Sequence, residues 1–118
     1  LIYAAGNGHG EIVALLLDAG VDPNTAYGND LTPLMWASSY GHKGIAALLI
    51  ERGAKVDTQD NRGRSALMMA TENSHADMVT ILVSKGADPA RADKKGVTAR
   101  KLASDAGDAA TVQALKSP

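Results

Sequence analysis

Apolar residues fall in short clusters at helical spacing, separated by breaks rich in glycine and polar side chains. Ile45, Leu48 and Leu49 lie on one face of a predicted helix, as do Met78, Ile81 and Leu82. Shifting the sequence by 33 residues superimposes this pattern on itself without a gap: His9 meets His42 and His75, Gly20 meets Gly53 and Gly86, Leu16 meets Leu49, Leu82 and Leu115, and Ala4 meets Ala37, Ala70 and Ala103. A fixed period of this length signals a stack of small units, each too small to bury its own apolar face. Within a unit, Thr32-Pro33 reads as an N-cap followed by a residue with no N–H to lose, and Ser65-Ala66 and Thr98-Ala99 repeat that start. First helices are therefore predicted over 33–40, 66–73 and 99–106, ending at Gly41, Ser74 and Gly107. A second helix follows in each unit, closed at Gly53 and Gly86 by the left-handed conformation. Helices this short are marginal alone, so packing between neighbours must hold them.

The stretch Leu31-Thr32-Pro33-Leu34-Met35-Trp36-Ala37, the Gly41-His42 pair, Ile45 with Leu48 and Leu49, and Gly53-Ala54 closely resemble the ankyrin repeats, and the resemblance covers essentially all 118 residues. It implies an all-α repeat solenoid of about three and a half helix-turn-helix units linked by β-hairpin loops. The expected division is a single domain with a partial unit over 1–26, full units over 27–59 and 60–92, and a C-terminal capping repeat over 93–118. Arg100, Lys101, Thr111, Gln113, Ala114 and Lys116 replace aliphatics in that last unit, as a solvated terminal face requires. Leu1, Ile2 and Tyr3 instead enter a helix with no hairpin and no polar cap, which points to preceding chain or to a partner at this end. Asp30 stands where Gly63 and Gly96 occupy the later turns, and aspartate tolerates the left-handed region well enough to keep the turn. Met35 and Met68 stand where the family usually has histidine, so a side-chain hydrogen bond common in the family is expected to be missing.

Composition narrows the chemistry. Aromatic residues are scarce at 3%, with no Phe, so small and branched aliphatics must build the core. The net charge of −1 disfavours a uniformly basic nucleic-acid binder. No cysteine is present, which excludes disulfides and thiolate chemistry and leaves the compartment open, with the cytoplasm as the default. The aliphatic stretch Ile12–Leu17 is too short to cross a bilayer.

Three histidines invite a metal hypothesis, but one per unit at a spacing of about 10 Å is too far apart for shared coordination, and imidazoles tying adjacent turns together fit the pattern better. Gly6-Asn7-Gly8-His9-Gly10 is glycine-rich, yet it falls between helices rather than after a strand, where a phosphate loop belongs. Asp60 and Asp93 recur at the start of turns, where an aspartate bonds its own backbone. No catalytic pattern and no cofactor motif occurs, so an enzyme is not expected. Trp36 and Met69 are expected to face the next unit as core, with Met35 and Met68 nearer the inner-helix surface. Charge is uneven: residues 1–50 carry one lysine and four acids, against eleven basic and nine acidic residues in 51–118. Arg62 and Arg64 on one hairpin tip, and Arg91, Lys94 and Lys95 around the next, would form a basic edge able to steer an acidic partner.

The expected function is non-catalytic protein–protein interaction through hairpin tips and the concave inner-helix surface, with no nucleic acid, membrane or small-molecule substrate. The alternative is an architectural segment of a longer array with no dedicated ligand site. By the resemblance, the partner-binding positions are Asn29, Leu31, Ser39, Tyr40, Asn61, Arg62, Arg64, Glu72, Asn73, Lys94 and Lys95. Among these, Leu31, as an exposed apolar tip, and Tyr40 are the expected anchors, followed by Arg62 and Arg64.

Overall fold

The computed structural model describes residues 1–116. Eight helices follow one another: α1 (Ile2–Gly6), α2 (Gly10–Asp18), α3 (Pro33–Ser39), α4 (Lys43–Glu51), α5 (Ala66–Glu72), α6 (Ala76–Ser84), α7 (Ala99–Ala106) and α8 (Ala109–Lys116). They pair in chain order, and the pairs stack so that α1, α3, α5 and α7 form one layer and α2, α4, α6 and α8 the other. Hairpins closed by antiparallel bridges, Tyr27 with Leu31, Gln59 with Ser65 and Ala92 with Thr98, join successive pairs. The longest dimension, 40 Å over four pairs, gives about 10 Å per pair, the usual separation of packed helices. The unit expected over 93–118 ends in Ser117 and Pro118, which lie outside the described residues.

Local chemistry sets the helix starts. The hydroxyls of Thr32, Ser65 and Thr98 accept hydrogen bonds from the N–H groups of Met35, Met68 and Lys101 at 3.3, 3.3 and 3.2 Å. At the first of these caps the Thr32 N–H also donates to the Met35 sulfur at 3.4 Å, so a thioether weakly supplies a bond the sequence reading counted as lost. Gly41, with φ 75°, turns the chain from α3 into α4, and Gly53, with φ 102°, ends α4. Asp30 adopts φ 66°, so the first hairpin keeps its turn without glycine.

Between the layers Leu34, Leu49, Leu67, Met78, Val79 and Leu82 are fully buried. Met35 and Met68 join them, each 1% exposed, whereas Trp36 is only half-buried. This reverses the expected roles of Met35 and Trp36. In α3 the third residue, Met35, turns inward between the layers with its sulfur folded onto the cap, and the fourth, Trp36, faces the inner-helix surface. Met69 is buried as expected.

A seam of hydrogen bonds runs between pairs. Nε2–H of His42 donates to the Gly6 carbonyl and that of His75 to the Ser39 carbonyl, both at 3.0 Å. The imidazoles therefore tie each inter-helix turn to the preceding one. The Asn24 amide donates to Gly53 O at 2.9 Å and its carbonyl oxygen accepts from Lys55 N–H at 2.8 Å, fastening neighbouring loops. The two ends differ. Arg100, Lys101, Gln113 and Lys116 leave a polar face on the last pair, whereas Thr111 and Ala114, expected on that face, turn inward and are buried. On the first pair Ile12 is 48% exposed, although the residues in its register, Ile45 and Met78, are 6% and 0% exposed.

Candidate functional site

The inner layer gathers three of the chain's four aromatic side chains on one surface. Tyr3 on α1 and Trp36 on α3 share the same register one unit apart, and Tyr40, at the C-terminal end of α3, lies one helical turn beyond Trp36. The Trp36 and Tyr40 rings stack at 5.9 Å between centroids, and Tyr40 stacks in turn on His42 at 6.3 Å. His42 is itself held by Gly6, so the ridge is braced at its base. On one side of the ridge Ile2, Tyr3, Gly6 and Asn7 complete a groove of about 520 Å³. On the other side Met35, Ser39 and Met69 complete a smaller one of about 200 Å³. Tyr3 and Tyr40 remain 77% and 55% exposed, large apolar rings presented on braced helices.

The hairpin tips form a second surface. Asn61 N–H donates to Asn29 O at 2.9 Å and Lys94 N–H to Arg62 O at 3.0 Å, which joins successive tips backbone to backbone. Oδ1 of Asp60 accepts from the N–H groups of Arg62 and Arg64, both at 2.9 Å, and Oδ1 of Asp93 from those of Lys95 and Val97 at 2.8 and 2.9 Å. The Val97 N–H holds the Asp93 carboxyl below its ordinary value, partly opposed by desolvation and aided by the Lys95 N–H. In the turn between α7 and α8 the Thr111 hydroxyl, 2.6 Å from Asp108, lowers that carboxyl likewise. Tyr27 occupies the register of Asp60 and Asp93, so the first tip lacks this carboxylate clasp.

The positions expected to bind a partner divide accordingly. Tyr40, Arg62, Lys94 and Lys95 are exposed. Leu31 is not an exposed tip: it is half-buried and packs against the core, because the residue just before the N-cap turns toward the layers. Arg64 is largely buried and pairs with Glu72, so it is not the free guanidinium the sequence suggested. Asn29 and Asn61 are exposed but bonded to each other, amide to amide at 3.3 Å. The Asn73 amide donates to the Ser39 hydroxyl at 3.2 Å and to Met69 O at 2.9 Å. Sequence reasoning marked Ile2 and Tyr3 only as an uncapped end open to preceding chain or a partner, missed Asn7, and placed Trp36 in the core. The signal was present in the shared register of Tyr3, Trp36 and Met69.

Among the described residues no three His, Asp or Glu side chains converge as a metal site, and no helix is long and apolar enough to cross a membrane.

Stacked helical pairs with projecting hairpins define a helical repeat protein. The model of the family described as ankyrin repeats (3 copies) matches residues 1–93 and 52–117. The chain belongs to the ankyrin repeat family, whose members are generally non-catalytic protein-interaction modules. No curated protein matches it.

Proposed function

We propose that the chain binds a partner protein through the concave inner-helix surface and the hairpin tips, with Tyr40 as the principal anchor. One observation carries this reading: in a chain with only four aromatic side chains, Tyr3, Trp36 and Tyr40 line one open groove. Rigid aromatic rings lose little entropy on binding and dominate interface hot spots. Arg62, Lys94 and Lys95 extend the surface along the tips. Asn29, Leu31, Ser39, Asn61, Arg64, Glu72 and Asn73 act through the shape they hold, since Leu31 packs on the core, Arg64 and Glu72 pair with each other, and Asn29 with Asn61 and Ser39 with Asn73 bond between units. Affinity capture with the wild-type chain beside Tyr40→Ala tests the proposal. Proteins retained by the wild type and lost from the variant, with equal thermal unfolding of both, are the expected result; an identical set captured by both would remove Tyr40 from the interface.

A second reading, that the chain serves as an architectural segment of a longer array, draws on Ile12 and Leu15, exposed on α2 at positions buried or half-buried in the later pairs. Under it, alanine substitutions on the aromatic ridge and the tips change no binding, and a further repeat joined at the first pair raises the unfolding midpoint.

A further inference from the structure

The second and third hairpin tips enclose a cleft of about 250 Å³ lined by Asn61, Arg62, Arg64, Asp93, Lys94 and Lys95. Its cations Arg62, Lys94 and Lys95 face solvent while its acids are turned into the backbone. The Asp93 carboxylate is occupied by two backbone N–H groups, and Arg64 is taken up by Glu72. Asp60 is buried, bound to two further N–H groups, and lies 3.7 Å from Arg62, whose guanidinium side chain stays 69% exposed. Among the described residues Lys94 and Lys95 make no ion pair. Three solvent-facing cations therefore border the cleft, against the two carboxylates of Asp60 and Asp93, whose Oδ1 atoms are turned into the backbone.

The cleft is also built on a stiff base. A Cβ placed on Gly63 would lie 2.8 Å from the Lys94 nitrogen, so the two tips touch at the backbone, and the bond from Lys94 N–H to Arg62 O closes the contact. Charges mounted on such a base are preorganised, and little ordering is left for a ligand to impose. The first tip, Gly28-Asn29-Asp30, carries no cation and one acid. Charge thus rises along the array, from the apolar aromatic groove beside the first two pairs to the basic cleft beside the last two.

We infer that the partner segment is an extended acidic peptide, its carboxylates seated in the cleft between the second and third tips and an apolar residue seated in the groove of Tyr3, Trp36 and Tyr40. This rests on the proposed protein-binding role of the same surface and specifies its ligand. Complementary charge at the rim supplies steering and orientation, and the aromatic groove supplies apolar burial. The two sites lie about two units apart, roughly 20 Å at 10 Å per unit. Extended chain covers that in about six residues at some 3.3 Å each, and the step outward to the tips lengthens the span to about ten. Nucleic acid fits less well, because no aromatic ring lines the basic cleft for bases to stack on.

Selection of random displayed peptides on the 118-residue chain tests this, with the chosen peptides resynthesised and their binding followed by fluorescence of Trp36, the single tryptophan. The expected peptides carry clustered Asp or Glu about six to ten positions from an apolar residue. Their affinity should fall about tenfold or more in Lys94→Glu/Lys95→Glu, fall in Tyr40→Ala, and weaken as salt is raised in the wild type. The salt series needs no variant, so it decides even if a substitution perturbs folding. Peptides without acidic bias, lost in Tyr40→Ala but indifferent to the lysine reversal and to salt, would overturn the acidic ligand and leave the protein-binding role standing. No enrichment, or peptides indifferent to both variants, would overturn both. A single-stranded oligonucleotide titrated in parallel that binds through Lys94 and Lys95 while no peptide is enriched would assign the cleft to nucleic acid instead.

Discussion

His75 lies 36 residues beyond Ser39 in sequence, yet its Nε2–H donates to the Ser39 carbonyl at 3.0 Å, the same reach that His42 makes to Gly6. A Cβ on Gly41 would lie 2.9 Å from Nδ1 of that imidazole. The residue before each histidine register thus answers to two demands, a left-handed backbone and room for the ring of the next pair. Ser74 meets only the first, with φ 57°. The next pair carries Asp108 in place of histidine, and the Ser74 hydroxyl helps to hold that carboxylate.

His75→Ala should therefore destabilise the chain by about 1–2 kcal/mol, because a half-buried carbonyl loses its donor. The midpoint of thermal unfolding should drop by roughly 5 °C for each kcal/mol, as measured by circular dichroism. An unchanged midpoint would mean that water replaces the imidazole at no cost.

Gly41→Ala should cost more than Gly53→Ala. Both positions are left-handed, at φ 75° and 102°, but only Gly41 faces a neighbour, and nothing lies within 4 Å of a Cβ on Gly53. In a double-mutant cycle, Gly41→Ala combined with His75→Ala should cost less than the sum of the two, since the ring that a methyl would strike has been removed. Additive losses would separate the glycine from the histidine.

Acid should loosen the last hairpin. The Asp93 carboxyl is held below its ordinary value, so the stability it contributes is complete above that value, about pH 3.9, and is lost as pH falls through the lower folded-state value. Asp93→Ala should be less stable than the wild type at neutral pH, and the gap should close below about pH 3.9. Urea midpoints measured across this range provide the check; a constant gap would mean that the carboxylate form contributes nothing beyond the side chain's bulk.

Asp30→Gly should stabilise. Asp30 adopts φ 66° with the strain an L-residue carries in the left-handed region, and no side-chain bond clasps this first tip as Asp60 and Asp93 clasp the others. The gain should be about 0.5–1 kcal/mol, offset in part by the greater freedom of glycine in the unfolded chain. A fall in the unfolding midpoint would show that the Asp30 side chain supports the turn.

Most of the scaffold was legible in the sequence because its signals are local. Thr32, Ser65 and Thr98 announce the inner helices through their own hydroxyls, Gly53 and Gly86 close the outer ones, and the recurring histidines and aspartates mark the two sets of turns. The surface was less legible because its exposure depends on how side chains pack once the helices are formed. Met35 and Trp36 are adjacent and both apolar, and nothing in the spacing says which of them turns inward. Leu31 precedes a cap and inherits partial burial from it. Arg64 looked free beside Arg62 because Glu72, its partner, lies on the helix that follows. Lys94 and Lys95 had no such partner to hide, and they remain exposed where the sequence placed them.

The histidine seam also has a direction. Each imidazole is given to the pair before it and each carbonyl offered to the pair after it, so the two sides of the contact are unlike. Contacts of this heterologous kind cannot be related by a dyad. Two copies of the chain meeting through this seam would continue head to tail, like links added at one end, and a closed two-fold dimer through it is geometrically forbidden.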